Sequence, residues 1–437
     1  MNNKLLNFLK NLILPPLFFG VITGVLTTLV ITIYKICAKY VIAFSEKGYH
    51  FLKTHLFLAV IGVFALYFIA LLFNHIYKKV PNIKGGGIPS AISAIKGFLS
   101  FSWFKSLVST FFLSLLTFFL GVPLGNEGPS VFMGTAIGKG FSSLLSKKHK
   151  EFDELSLSCG AAVGFSVATG SHIAGFMFVL EEVFKRFSLS IIVALLSAAS
   201  TSLIVTKALS HLFNINLVLF PKLSTISLTL KDIWLPLVIG VAVGLFSVLF
   251  LKYYKIIYNF INIKLKGFSS KYKIFLVFLF TLILGIVSHS FISTGHELTV
   301  SLFTKSPSTL ILILILIVRV TLTLSANSCG VTGGTFFPLL AIGAVFSAVL
   351  AQSLDLFGLN QDYYLVVLVL GITATIAGMM KMPLTAIAFS VQALSSYNNV
   401  IFIIVAAFIA YFITKIFNVK SINDSAVEIL IKKETNI

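Results

Sequence analysis

The feature that most constrains this chain is a succession of long apolar runs that leave few residues with which to build a water-facing shell. They lie near residues 12–36, 55–74, 106–124, 189–206, 234–251, 274–295, 309–324, 336–354, 364–379 and 400–418. A helix needs roughly 20 apolar residues to cross a bilayer, so about ten spans is a minimum. Composition closes the other routes. Of 437 residues, 57% are hydrophobic and 11% charged, against about 25% charged in a soluble domain. The chain therefore reads as an all-α polytopic membrane protein, which excludes a cytosolic enzyme, a nucleic-acid binder and a disordered scaffold. The first run is long enough to span and no small-residue cleavage site follows it, so no cleavable signal peptide is expected.

The formal charge of +19 is spread as membrane proteins spread it. Lysines gather between apolar runs, at Lys78, Lys79 and Lys84, at Lys147, Lys148 and Lys150, and at Lys264, Lys266, Lys271 and Lys273. Such clusters mark cytoplasmic loops and anionic headgroups, and Lys4 and Lys10 favour cytoplasmic termini. Cys37, Cys159 and Cys329 lie far apart with no CxxC and no nearby histidine pair, so neither a disulfide framework nor a zinc site is expected. No HExxH, no facing aspartates and no serine with His or Lys at membrane depth occurs. His172 stands alone ahead of an apolar stretch. No enzymatic activity, cofactor or metal is expected.

Other apolar stretches are broken by Gly and Pro, at 85–100, 121–140, 159–183, 329–343 and 378–395. Broken backbone at membrane depth survives only where protein or an aqueous cavity satisfies its polar groups, as in transporters. The chain also repeats itself. Pro129-Ser130-Val131-Phe132-Met133-Gly134 parallels Pro338-Leu339-Leu340-Ala341-Ile342-Gly343, and Ile173 to Glu181 parallels Leu384 to Gln392, at offsets of 209 and 211 residues. Two pairs at nearly one offset predict two related halves, near 1–215 and 216–437, meeting at a midplane site and most commonly inverted.

Of fourteen carboxylates, eleven sit in polar loops or near the chain ends. The exceptions are Glu127, Glu181 and Glu182. Glu127 stands in Gly125-Asn126-Glu127-Gly128-Pro129, just ahead of a helix opened by Pro129. A carboxylate in hydrocarbon costs about 3 kcal/mol on insertion scales and commonly marks an ion or proton path; the alternative is a helix cap by Glu127 or Asn126. Glu181 and Glu182 precede Lys185 and Arg186, which suits a helix pairing with its own basic end. Three Gly-rich segments stand before helical patterns: Gly85-Gly86-Gly87-Ile88-Pro89, Gly125 to Pro129, and Gly333-Gly334-Thr335-Phe336-Phe337-Pro338. Helix starts aimed at one point form an anion site without a buried cation.

In order, these segments resemble the GSGIP, GREGP and GGxFxP motifs of the CLC family of chloride channels and anion/proton antiporters. The match runs along nearly the whole chain, with 41 residues from Gly86 to Glu127, 55 from Glu127 to Glu182 and 208 from Glu127 to Thr335. The resemblance implies an inverted repeat of about eighteen membrane helices, many tilted or half-spanning, in a homodimer with one pathway per subunit, in the plasma (inner) membrane of a bacterium. It implies chloride and protons as the transported ions, with Glu127 as the external gating glutamate and Glu182 as the internal proton-transfer glutamate. The anion site is expected at the backbone of Ile88, Thr335 and Phe336, framed by Gly85, Gly86, Gly87, Pro89, Gly125, Asn126, Gly128, Pro129 and Gly334. Three positions depart from the family pattern: Gly86 replaces the serine of the first motif, Asn126 the arginine of the second, and Asn423 stands nearest to the inner-gate tyrosine. A passive voltage-gated chloride channel and a fluoride/proton antiporter are the alternatives within the fold. No cytoplasmic CBS pair is expected, because the chain ends soon after the last apolar run.

Overall fold

The computed structural model describes residues 12–145, 152–185, 187–215 and 217–435, the last four as backbone only. Lys4, Lys10, Lys147, Lys148, Lys150 and Arg186 lie outside those residues. Seventeen α-helices and no strand occur among the described residues. The first eight are α1 (Leu14–Thr54), α2 (Leu56–Lys79), α3 (Ile88–Ile95), α4 (Trp103–Phe119), α5 (Glu127–Leu144), α6 (Asp153–Thr169), α7 (His172–Phe178) and α8 (Leu189–Leu212). Eight more follow: α9 (Trp234–Asn259), α10 (Ser270–Val287), α11 (His296–Leu302), α12 (Thr309–Ser328), α13 (Phe336–Asp355), α14 (Tyr364–Met379), α15 (Pro383–Ala393) and α16 (Val400–Ile416). α17 (Ile422–Thr435) closes the chain. The second eight repeat the order of the first, down to the short α3 and α11 in third place, with eight and seven residues.

Nine of the described helices are long and apolar enough to cross a membrane, and α4 accounts for the shorter run read at 106–124. Helix breaks fall where the local chemistry demands. Gly170, at φ 70°, ends α6 in the left-handed region, and Ser171 Oγ then accepts the Ala174 amide to start α7. Pro383 opens α15 at a position that needs no N–H. Ser421 Oγ accepts the Asp424 amide at 3.0 Å and so starts α17.

The helices sort by what surrounds them. α2 turns Phe57, Val60, Ile61, Phe64 and Phe68 outward, an apolar stripe that suits lipid tails. α5 and α6 are buried along most of their length and packed on each other, and α14 is buried throughout from Val366 on. Lys78 and Lys79 end α2, and Lys271 and Lys273 begin α10. The positive-inside bias places these ends in the cytoplasm, so the turn after Thr54 and the segment after Val287 face outward.

Candidate functional site

The three Gly-rich segments meet. Gly85 donates to Gly330 O at 3.0 Å, Gly333 donates to Gly85 O at 3.4 Å, and Gly125 and Gly334 exchange reciprocal N–H···O bonds of 2.7 and 2.6 Å. Tyr77 OH, bonded to Thr332 Oγ1 at 2.8 Å, and Thr332 Oγ1, donating to Ile83 O, fasten the third segment to the approach to the first. Gly128 is where all three touch: a Cβ there would collide with Gly86 O and lie 2.8 Å from Gly334 Cα. Gly87 closes the same contact from the other side, since its φ is 77° and a Cβ would press on the Gly128 carbonyl.

This contact brings together the N-terminal ends of α3, α5 and α13. None of the three is capped by the side chain of its own N-cap residue, whereas Ser171 and Ser188 cap α7 and α8. Such ends present free N–H groups and the positive end of the helix dipole. Ile88, Pro89, Pro129, Thr335 and Phe336 are buried at these ends. Around the start of α13, Phe336 meets Phe165 and Phe389 edge-on, and Phe165 stacks on Phe178 at 4.7 Å.

Glu127 opens α5 and is 0% exposed. Its Oε1 accepts the backbone N–H of Phe337 at 3.0 Å, in the first turn of α13 and 210 residues away. Its Oε2 has no partner, nor has Asn126 Oδ1 beside it. The carboxylate thus lies on donors that suit an anion. A cavity of about 300 Å³ on the outward side, lined by Lys35, Asn126, His296, Glu297 and Phe337 among others, reaches this point.

Glu182 lies elsewhere, in the π-helical turn Val179–Phe184 after α7, and is also buried. Asn423, at the start of α17, is buried beside it. Glu182 Oε1 and Asn423 Nδ2 make no hydrogen bond to protein. A second cavity of about 290 Å³, lined by Ile92, Lys96, Glu182, Lys185, Asp424 and Glu428, opens there. Ile92 on α3 lines that cavity, so the helix carrying the first motif reaches from one acid's surroundings toward the other's.

One expectation is corrected. Among the described residues, Glu181 makes no ion pair with the basic end of its own helix. Its carboxylate accepts the amides of Leu384 and Thr385 at 3.0 and 2.9 Å, with Thr385 Oγ1 at 2.8 Å, and so caps α15. Lys185 instead pairs with Asp424 at 3.6 Å. The Phe337 amide was not among the expected site groups, although it follows a motif residue directly. Two buried cations were also passed over. Lys35 donates to Val167 O and Leu217 O, and Arg319 donates to Ser290 O, Ile292 O and Ser293 O. Both stand inside apolar runs, where a lone cation is itself a signal. No His or Cys joins Glu127 in a metal-ligating group among the described residues.

Helix ends converging on a buried carboxylate, inside a bundle of spanning and broken helices, define a polytopic membrane protein. Residues 69–415 match the voltage-gated chloride channel family, and the chain belongs to it. The H(+)/Cl(-) exchange transporter ClcA of Vibrio parahaemolyticus serotype O3:K6 is 27% identical over 402 residues, covering 89% of this chain and 84% of that one. Among solved structures, a slow cyanobacterial Cl-/H+ antiporter has a TM-score of 0.86 at 20% identity, covering 96% of this chain and 99% of that one. A CLC-type fluoride/proton antiporter has a TM-score of 0.75 at 22% identity, covering 92% and 96%. These structural likenesses show the CLC fold.

Proposed function

We propose that this chain is a proton-coupled anion antiporter of a bacterial inner membrane, exchanging chloride for protons as its Vibrio relative does by name. The observation that carries the reading is the Glu127 carboxylate on the Phe337 amide at the start of α13. A carboxylate that occupies anion-binding donors competes with the anion while charged and leaves them when protonated. One residue then links the two ions. The anion would bind at the amides near Ile88, Thr335 and Phe336, with Gly85 to Pro89, Gly125 to Pro129 and Gly334 holding the helix ends together. Glu182, buried at the rim of the second cavity, would pass the proton to the cytoplasmic side, and Asn423 would border the anion's inner exit. The unit is a single membrane domain of two related repeats, near 1–215 and 216–437, and forms a homodimer with one pathway per subunit.

The test is flux in liposomes containing the purified protein under an imposed chloride gradient, with internal pH and chloride recorded together. Uphill proton movement driven by chloride supports antiport; chloride movement without protons would make the protein a channel. Gly86, which lacks the hydroxyl expected at its motif position, favours one second reading, fluoride as the anion. Fluoride-driven proton movement stronger than that driven by chloride would establish it.

A further inference from the structure

Away from the Glu127 and Glu182 sites, Glu46, His289 and Glu297 converge on the outward face. One ligand atom from each lies within 4.8 Å of the others. The three residues line a single cavity of about 200 Å³ together with Ser290, Ser293 and Ser301. They come from three separate elements: Glu46 from α1, His289 from the turn after α10, and Glu297 from the first turn of α11.

The imidazole is partly buried, with its side chain 24% exposed. His289 Nε2 is sealed inside the protein without a partner, and Nδ1 faces Glu297 Oε2 at 3.9 Å. That separation is too long for a hydrogen bond, so the pair leaves a gap between nitrogen and carboxylate. Tyr49, one turn beyond Glu46 on α1, packs its ring 6.3 Å from the imidazole and is fixed by its own bond to Leu120 O at 2.6 Å. The segment carrying the other two ligands is clamped. Arg319 binds the carbonyls of Ser290, Ile292 and Ser293, and the Ser293 amide donates to Gly121 O at 2.7 Å. Arg319 takes up carbonyls of that segment, and the imidazole nitrogen and two carboxylates face the cavity beside the Ser290, Ser293 and Ser301 side chains.

We propose that Glu46, His289 and Glu297 form a binding site for a divalent transition-metal cation of the zinc class. One imidazole and two carboxylates suit such a cation better than Mg²⁺ or Ca²⁺, which take oxygen ligands. Zinc–ligand bonds of about 2.0–2.2 Å require ligand atoms roughly 3.4 Å apart. The present spread closes by rotation of the two partly exposed glutamates against the partly buried histidine. The bland reading is a surface ion pair of His289 with Glu297 and a bystander Glu46, and it predicts no stoichiometric metal. Glu297 also lines the outer cavity that reaches Asn126 and Phe337. A cation held here offsets the charge of the Glu297 carboxylate at that cavity's wall.

The test is direct binding of Zn²⁺ to the purified full-length protein by equilibrium dialysis, with a large excess of Mg²⁺ present. The readout is independent of transport, so it stands or falls separately from the antiport reading. One Zn²⁺ per chain is expected, with affinity lowered about 10-fold or more in His289→Ala and in Glu297→Gln. Thermal unfolding of each variant checks that it is folded, and Glu46→Gln, on the solvent-exposed ligand, gives a third variant for the same comparison. Absence of zinc uptake by the wild-type protein, or uptake that survives unchanged in all three variants, would overturn the site.

Discussion

Glu181 and Gln392 cap each other's helices. The Glu181 carboxylate, just past α7, accepts the amides of Leu384 and Thr385 at the start of α15. Gln392 Oε1, near the end of α15, accepts the Ile173 amide at 3.0 Å and Ser171 Oγ at 2.9 Å at the start of α7. The two residues are 211 apart, the offset at which the surrounding sequences run parallel. Gly125 and Gly334, at an offset of 209, also exchange matched bonds. Two reciprocal exchanges between corresponding positions are what two related repeats facing each other across an axis would make, and they support the proposed division.

Glu181 should therefore be a structural acid. Glu181→Gln keeps an acceptor for the Leu384 amide but sets an NH2 donor against the Thr385 amide and hydroxyl, so it should lower stability by about 0.5–1 kcal/mol and leave transport near wild type. Glu181→Ala strips the α15 amides of their acceptor and should lower stability by about 1 kcal/mol, read as a fall in the unfolding midpoint. Loss of proton coupling in Glu181→Gln with the fold intact would move this residue into the transport path.

Glu127→Gln should separate the two ions. Glutamine retains an acceptor for the Phe337 amide and holds no exchangeable carboxylate proton. Chloride flux should persist while chloride-driven proton movement disappears, both measured in the same liposomes. Proton movement retained in this variant would remove Glu127 from the mechanism.

The sequence made some of this site legible and left the rest hidden, for physical reasons. Gly128, Gly87, Pro89 and Glu127 were readable because a left-handed turn, a close backbone approach and an acid in hydrocarbon each demand a particular residue type. The receiver of the Glu127 carboxylate was not, since the Phe337 amide is a backbone group that any residue carries. The partners of Lys35 and Arg319 are likewise carbonyls, so their stray charges could be noticed but not placed. Glu181 was misassigned because Lys185 is near in sequence, while Leu384 and Thr385 are near only once α7 and α15 lie side by side. Glu181 and Gln392 stand at the offset of the parallel segments, and their reciprocal capping fits that alignment.

Gly128→Ala tests the convergence of the three segments. Its methyl would strike the Gly86 carbonyl and crowd Gly334. Both are backbone atoms, in segments tied by the Gly85–Gly330, Gly333–Gly85 and Gly125–Gly334 bonds, so no side chain can swing aside. A destabilisation of about 1–3 kcal/mol is expected, with anion flux lost even where the protein still folds. Flux at the wild-type rate would mean that the three segments need not touch for transport.

Gly86→Ser asks what the missing hydroxyl does. A Cβ at Gly86 meets nothing closer than Gly333 O at 3.7 Å, with Asn327 Nδ2 and Pro89 Cδ at 3.8 Å. A serine therefore fits without displacing backbone, and the variant should unfold at the wild-type temperature. What changes is the donor set: a hydroxyl now stands beside the start of α3, where the proposed anion site has only backbone amides. One added hydrogen bond is worth about 1 kcal/mol, roughly fivefold in affinity, and an anion of fixed size feels it only if the hydroxyl can reach it. The ratio of chloride to nitrate flux should shift by about that factor, measured side by side in liposomes of wild type and variant. An unchanged ratio in a folded protein would place the anion out of reach of the first segment and leave the ends of α5 and α13 as its ligands.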